Sequence, residues 1–95
     1  MRRVRNIYKS EKLIKILLEY DEHTKIINSI KITGDFFLYP EESLDELEVN
    51  LIGTKLEKDT LKQKIEKCLN YSEAFGFDSE SMTDAILGCL KQEQN

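Results

Sequence analysis

The chain has 95 residues, a length that accommodates one domain with a modest hydrophobic core. Hydrophobic residues make up 40% of it and charged residues 34%, which is typical of a folded globular domain and excludes a disordered segment. No apolar run approaches the roughly 20 residues that span a bilayer, and no signal-peptide core follows the start of the chain, so we expect a cytoplasmic protein with no membrane partner. Cys68 and Cys89 do not form a CxxC pair, which indicates neither a disulfide framework nor a metal cage.

Charge is distributed unevenly along the chain. Of the 14 basic residues, four lie in the first ten residues, where there is no acid, so ten remain against 18 acids in the rest. We interpret residues 1–10 as a basic, solvated N-terminal arm ahead of a single domain at residues 11–95. Val4, Ile7 and Tyr8 leave open a docked arm, either as an edge strand or on a partner.

Two segments show the alternation of half-buried strands. The first runs from Lys12 to Tyr20, and a polar hairpin connection follows it at residues 21–24. The second strand is predicted to bury Ile26, Ile30 and Ile32, although Asn28 interrupts its apolar face. His23, the single histidine of the sequence, falls on the connection, where we expect a solvated side chain and no metal or catalytic role.

The second strand leads into a change of pattern at Gly34, after which apolar residues recur every three or four positions. Glycine permits a positive φ or a bulge at this pivot, and the Asp35 carboxylate is expected to accept backbone hydrogen bonds that fix the turn. If Phe36 and Phe37 stay extended, their rings point to opposite faces. A small domain buries one of those faces well, which leaves one ring for another purpose.

A first helix is predicted to begin at Pro40 and to end at Gly53. Its inward stripe is Leu44, Leu47 and Leu51. Five acids without a base fill residues 41–48. These acids form either a solvated outer face or a recognition surface for a basic partner.

Two further helices are predicted after a short connection at residues 55–57. The second covers about Asp59 to Tyr71, and the third is capped by Asp78 or Ser79. Between them, Phe75-Gly76-Phe77 is expected to form a turn with both rings packed beneath the helices. The third helix has an apolar stripe of Met82, Ala85, Ile86, Cys89 and Leu90. Cys68 and Cys89 both fall on apolar stripes, so we interpret them as packing residues and not as redox groups.

The sequence lacks the motifs of the common catalytic sites. It has no phosphate-binding loop, no dinucleotide fingerprint, no HExxH pair and no nucleophile beside a base at a recognisable spacing. We therefore predict no catalytic residue, no bound cofactor and no metal on this chain.

One block of the sequence resembles a known family. Thr33-Gly34-Asp35-Phe36-Phe37, then an acidic helix with Leu44, Leu47, Glu48 and Leu51, then Ile52-Gly53, is similar to the accessory domain of lipoate-protein ligases. The likeness runs from about Lys12 to Leu69 and extends more loosely into the last helix. The hairpin at His23 lacks the glycine that is usual in the family, and residues 2–5 have no clear counterpart there.

The resemblance implies a two-layer α+β fold similar to the SufE/NifU fold, with an antiparallel sheet of about three strands covered on one side by about three helices. It implies an accessory subunit, in the separate form found in archaea, of an enzyme that activates lipoate to lipoyl-adenylate. Lipoate, ATP and Mg are expected on the large catalytic subunit, which is the expected heterodimer partner. The indirect partners are lipoyl domains of 2-oxoacid dehydrogenases or glycine cleavage H protein.

The docking surface on the large subunit is predicted to contain Gly34, Asp35, Phe36, Phe37 and Tyr39, with part of the acidic helix. Alternatively, the same motif shapes this domain's own turn and core. Two other functions stay open from the residues. One is a free-standing module whose acidic helix binds a basic partner. The other, RNA binding by the basic arm, is disfavoured by the net charge of −4.

Overall fold

A computed structural model describes residues 1–9 and 11–92 and contains five strands and three helices within them. In chain order these elements are β1 (Arg2–Lys9), β2 (Leu13–Tyr20), β3 (Ile27–Gly34), β4 (Phe37–Tyr39), α1 (Glu42–Leu51), α2 (Lys58–Leu69), β5 (Glu73–Phe75) and α3 (Ser79–Gln92). The first three strands form an antiparallel sheet in the order β1-β2-β3, and β4 pairs with β5 in a separate antiparallel ribbon. The predicted α+β class, with a three-stranded sheet and three helices, is confirmed.

The basic N-terminal segment forms a strand of this sheet. Residues from Arg2 to Lys9 pair along their whole length with β2, with Arg2 opposite Tyr20 and Lys9 opposite Leu13. Val4 and Asn6 are buried on the inner face of the sheet. The interpretation as a solvated arm was therefore wrong, and the edge-strand alternative describes the structure.

The second predicted strand is shifted at its start. Ile27 is buried and Ile26 is exposed, whereas the sequence pattern had placed Ile26 inside. The cause is a β-bulge: Glu19 pairs with Ser29, but the next residue, Tyr20, pairs with Ile27. Because Asn28 is an extra residue in the pairing, the alternation shifts by one position, so Ile27 and not Ile26 faces the core.

The helices cover one face of the sheet. Helix α1 packs on β3, α3 packs on β1 and β2, and α2 packs on α1 and α3. The inner face of the sheet and the apolar stripes of the helices form the core. Its fully buried large side chains are Tyr20, Ile14, Ile16, Leu18, Ile27, Ile32, Leu47, Leu51, Leu61, Ile65, Met82 and Ile86.

The segment between α1 and α2 covers the outer edge of β3. The Ile27 amide donates to the Thr54 carbonyl at 2.9 Å, and the Gly53 amide donates back to the Ile27 carbonyl at 2.8 Å. The Leu56 amide donates to the Lys25 carbonyl at 2.8 Å. These bonds satisfy backbone groups that an edge strand would otherwise expose.

Helix α1 begins two residues later than the sequence predicted. Pro40 precedes it after a cis peptide bond, and its carbonyl accepts a hydrogen bond from the Ser43 amide at 2.9 Å. Leu47 and Leu51 are buried as predicted, and Leu44 is partly buried. None of the helices in the described part of the chain is long and apolar enough to cross a membrane.

Candidate docking surface

The turn after β3 depends on Gly34. Its φ is 156°, and a Cβ at this position would clash with the carbonyl oxygen of Leu13 on the neighbouring strand. The next amide, that of Asp35, donates to the same Leu13 carbonyl at 3.0 Å. The backbone can approach β2 this closely because glycine has no side chain. The predicted role of Gly34 as a pivot is confirmed.

Among the residues that the structure describes, the Asp35 carboxylate makes no hydrogen bond that fixes the turn. Its side chain is exposed, and no amide in residues 1–9 or 11–92 donates to it. The backbone hydrogen bond to Leu13 takes the place of the predicted side-chain contact. Asp35 therefore contributes an exposed negative charge beside the turn.

The two phenylalanines after Asp35 point to opposite faces, as the extended backbone predicted. Phe36 is 9% exposed and packs edge to face on Phe77, with the ring centroids 4.9 Å apart. Phe37 is 63% exposed. Phe36 thus belongs to the domain's own core, whereas Phe37 is available to a partner.

Phe37 belongs to a group of exposed aromatic rings on the β4-β5 ribbon. Its ring stacks on Tyr39 at 6.5 Å with an interplanar angle of 14°, and Tyr39 meets the edge of Phe75 at 6.4 Å. Phe37 and Phe75 are directly opposite each other in the ribbon register, which places the rings side by side. We call Phe37, Tyr39 and Phe75 the aromatic surface.

The aromatic surface is open to solvent. Tyr39 is 51% exposed and Phe75 is 53% exposed, and the residue between the two rings of β4, Leu38, is buried and anchors the strand. Tyr71 is also exposed and shares a shallow depression with Tyr39. Clustered exposed aromatic residues in a small domain are typical of a protein interaction site.

The prediction that Phe75 packs beneath the helices was wrong. Phe77 packs beneath the helices as predicted, but Phe75 lies on the outside. Gly76, between them, has a φ of 96°, a left-handed backbone conformation. The chain changes direction there, with Phe75 exposed on one side of it and Phe77 buried on the other. The pairing of β4 with β5 joins segments more than thirty residues apart in sequence, and no local pattern indicated it.

One acidic side chain lies beside the aromatic surface. Glu73 pairs with Tyr39 across the ribbon and is exposed. The exposed acids Glu42 and Glu46 of α1 line the cleft between α1 and α2. Glu48 is turned into the protein and accepts a hydrogen bond from the Ile32 amide. The acidic helix therefore does not form a single charged surface with the aromatic rings.

The histidine and the cysteine that could act as a base and a nucleophile, His23 and Cys68, lie on separate elements of the fold. His23 is exposed on the β2–β3 turn, where its backbone amide donates to the Asp21 carboxylate at 2.8 Å. Cys68 lines a cleft of about 410 Å³ between α1 and α2, and burial raises the pKa of its thiol. A thiol with a raised pKa is a poor nucleophile at neutral pH. Within the described ranges, no group of three or more His, Cys, Asp or Glu side chains is arranged to hold a metal ion.

The sequence matches a known protein family over most of its length. The sequence model of the family described as bacterial lipoate protein ligase C-terminus matches residues 8–89. The chain belongs to this family. The match includes β2, β3, both strands of the aromatic ribbon, α1, α2 and most of α3.

A curated protein and a chain of a solved structure, both from the archaeon Thermoplasma acidophilum, are similar to this member of the family. Lipoate-protein ligase A subunit 2 is 44% identical over 46 residues, which are 48% of this chain and 47% of the relative. The chain thus matches about half the length of this curated relative. A chain from the solved structure of an archaeal lipoylation system, described as a bipartite lipoate protein ligase and its E2 lipoyl domain, superposes with a TM-score of 0.78. That chain is 30% identical, and the superposition covers 90% of this chain and 94% of the solved one.

Proposed function

We propose that this chain is the accessory subunit of a two-subunit lipoate-protein ligase and that it docks on the large catalytic subunit through the aromatic surface. The exposed rings of Phe37, Tyr39 and Phe75 are the observation on which this proposal rests. Phe37 and Tyr39 follow the glycine turn that belongs to the family motif, and Phe75 pairs with Phe37 across the ribbon. The related protein named subunit 2 and the bipartite ligase support the two-subunit arrangement.

The activity of the complex has two steps. A carboxylate oxygen of lipoate attacks the α-phosphorus of ATP, the bond to the β-phosphate oxygen breaks, and pyrophosphate leaves. The amine of an acceptor lysine then attacks the acyl carbon of lipoyl-adenylate, and AMP leaves as the lysine loses a proton. The first step requires close alignment of two anionic reactants and exclusion of water.

The accessory subunit acts on the first step by holding the active-site loops of the large subunit closed. Lipoate, ATP and Mg bind to the large subunit, and this chain supplies no reacting group. A rigid docking element suits that role, since the aromatic surface stands on a two-stranded ribbon anchored by the buried Leu38 and Phe36. Exposed aromatic rings provide large contact area at small conformational cost.

The decisive experiment separates the two steps. Lipoylation of a lipoyl domain by the large subunit is measured with and without this chain, once from lipoate and ATP and once from synthetic lipoyl-adenylate. We expect the ATP-driven reaction to require this chain and the adenylate-driven reaction, at a saturating concentration of lipoyl domain, to proceed without it. If neither reaction responds and the two proteins do not co-purify, the ligase role is wrong and a free-standing interaction module takes its place.

Surface variants test the docking site within the same assay. Phe37→Ala and Tyr39→Ala together are expected to weaken association with the large subunit by at least tenfold, as for central aromatic residues of an interface. Ile52→Ala is the matched control, because Ile52 is exposed to a similar degree but lies after α1, outside the aromatic surface. Equal affinities of the double variant and the control would remove the aromatic surface from the proposal.

A further inference from the structure

The face of the sheet turned away from the helices is basic. Strand alternation places its outward side chains on this face, and in the described part of the chain no helix packs on it. The basic members come from all three strands: Arg3, Arg5, Lys9, Lys15 and Lys31. Within the described residues of β1, β2 and β3, Glu19 is the one acid among the outward side chains. We call this the outer sheet face.

The positive charge of the outer sheet face is only partly neutralised. Arg3 donates two hydrogen bonds to the Glu19 carboxylate, at 2.9 and 3.2 Å, and the Lys31 ammonium lies 3.8 Å from the Glu48 carboxylate. Arg5, Lys9 and Lys15 make no ion pair within residues 1–9 and 11–92. A chain with a net charge of −4 thus concentrates positive charge on one open face.

Two exposed apolar side chains lie among these charges. Ile7 is 61% exposed and Leu17 is 42% exposed. They occupy neighbouring strands, since Ile7 pairs with Lys15 and Leu17 pairs with both Arg5 and Lys31. A small apolar centre within a charged rim fits a protein partner with the opposite charge.

The composition of the outer sheet face favours an acidic protein over nucleic acid as its partner. Nucleic acid would require aromatic rings that stack on bases or a longer basic track along phosphates. The exposed aromatic rings of the described residues lie elsewhere, on the β4-β5 ribbon or, for Tyr71, beside it. A charged face with little apolar area also suits a partner that associates fast and leaves fast, because charge raises the association rate while a small apolar contact gives a short lifetime.

We infer that the outer sheet face is a transient docking site for an acidic surface of the acceptor protein, the domain whose lysine receives the lipoyl group. This inference rests on the proposed function. The resident large subunit uses the aromatic surface, and the acceptor, which must leave after each turnover, uses the charged face. Arg5 and Lys15 attract the acidic surface of the acceptor electrostatically, and Ile7 and Leu17 make the apolar contact with it.

The test is a charge reversal measured in the reconstituted two-subunit enzyme. The variant Arg5→Glu/Lys15→Glu is compared with Lys64→Glu/Lys67→Glu, which changes the charge equally at exposed positions of α2, the helix that packs on α1 and α3. The probe is the unmodified lipoyl domain of the host's own 2-oxoacid dehydrogenase. We expect the sheet variant to raise KM for this domain roughly tenfold, and more at low salt than at high salt, with the control unchanged.

One further measurement separates this inference from the proposed function. Lipoyl-adenylate formation without an acceptor reports on the accessory role, and there both variants are expected to behave alike. If this chain supports adenylate formation but the sheet variant leaves KM unchanged, the acceptor site is wrong and the accessory role stands. If the chain has no effect on adenylate formation, the accessory role itself is wrong.

Direct titration identifies the occupant of the face. In amide NMR spectra of the full chain, the lipoyl domain is expected to shift resonances of Arg5, Ile7, Lys15 and Leu17 and to leave those of Phe37 and Phe75 in place. Binding of an oligonucleotide at the same salt without binding of the lipoyl domain would overturn the inference in favour of nucleic acid. Loss of large-subunit affinity in the sheet variant would assign the face to that subunit instead.

Discussion

The carboxylate of Glu48 accepts a hydrogen bond from the backbone amide of Ile32 at 2.7 Å. This contact joins α1 to the edge of β3 that does not pair with β2. The Glu48 side chain is almost fully buried, and its second oxygen lies 3.8 Å from the exposed Lys31 ammonium. The domain thus uses one of its acids to satisfy a buried amide at a sheet edge.

Loss of this acceptor is expected to destabilise the fold. Glu48→Ala leaves the Ile32 amide without a partner and should lower the free energy of unfolding by about 1–3 kcal/mol. Glu48→Gln keeps a carbonyl oxygen as acceptor and loses only the charge, so its effect should be clearly smaller. Urea denaturation followed by circular dichroism measures both, with Glu46→Ala on the exposed face of α1 as the control. Equal losses in the alanine and glutamine variants would mean that charge, not the hydrogen bond, is what matters.

The inward direction of Glu48 was present in the sequence pattern. Leu44, Leu47, Glu48 and Leu51 are spaced as one face of a helix, so Glu48 falls on the buried side by position. Its residue type suggested a solvated or partner-binding acid instead. A buried acid requires a donor, and that donor lies on a strand sixteen residues earlier, which helical spacing alone does not reveal.

The first strand was predicted only as an alternative to a solvated arm, for a related reason. Its inward positions include Asn6, a polar residue that breaks the apolar alternation between Val4 and Tyr8. In the fold, the Asn6 side-chain amide donates to the Ala85 carbonyl at 2.8 Å, a contact between opposite ends of the chain. The strands at Lys12–Tyr20 and Ile30–Thr33 were predictable because their buried positions are occupied by isoleucine, leucine and tyrosine.

The candidate site was predicted in part. The sequence correctly separated Phe36 from Phe37, because alternation along an extended backbone is a local property. The surface around Phe37 depends on Phe75, which a non-local ribbon brings beside it. Asp35 was expected to stabilise the turn, but a backbone amide takes that role.

The pivot at Gly34 should tolerate no side chain. Gly34→Ala forces a Cβ against the Leu13 carbonyl in addition to an unfavourable backbone conformation, and we expect a loss of about 2 kcal/mol or more. Gly53→Ala is the matched control, because Gly53 has a φ of 85° but no atom within 4 Å of the added methyl group. Its cost should stay near 1 kcal/mol. Thermal and urea unfolding of the two variants give the order, and equal losses would show that the contact with Leu13 relaxes.

The two neighbouring phenylalanines should separate stability from association. Phe36→Ala removes a buried ring that packs on Phe77 and should cost about 3–5 kcal/mol of folding free energy. Phe37→Ala removes an exposed ring and should change stability by less than about 1 kcal/mol. Unfolding curves measure the first effect, and co-purification with the large subunit measures the loss of docking in the second. A Phe37 variant that unfolds as readily as the Phe36 variant would contradict the assignment of Phe37 to the surface.

Acid should destabilise the start of α3, because it protonates the Asp78 carboxylate. Its carboxylate accepts a hydrogen bond from the Ser81 amide at 2.7 Å, and its own amide donates to the Ser81 hydroxyl at 2.9 Å. Hydrogen bonds to this carboxylate, first from the Ser81 amide and then from the Ser81 hydroxyl, hold the pKa of Asp78 below its ordinary value. Because the folded pKa is lowered, the stabilisation is fully present above the unfolded value of about 3.9 and is lost as the pH falls through the folded value.

Asp78→Asn tests this directly, since asparagine also caps a helix but does not titrate. At pH 7 the natural chain should be more stable than the variant by up to about 1 kcal/mol, because a negative charge at a helix N-terminus is favourable. Below about pH 3 that advantage should disappear or reverse. Thermal unfolding of both proteins from pH 7 to pH 2 measures the difference, with Asp84→Asn on the same helix as the control for general acid effects. A difference between natural chain and Asp78 variant that does not change with pH would show that the Asp78 carboxylate titrates alike in the folded and unfolded chain.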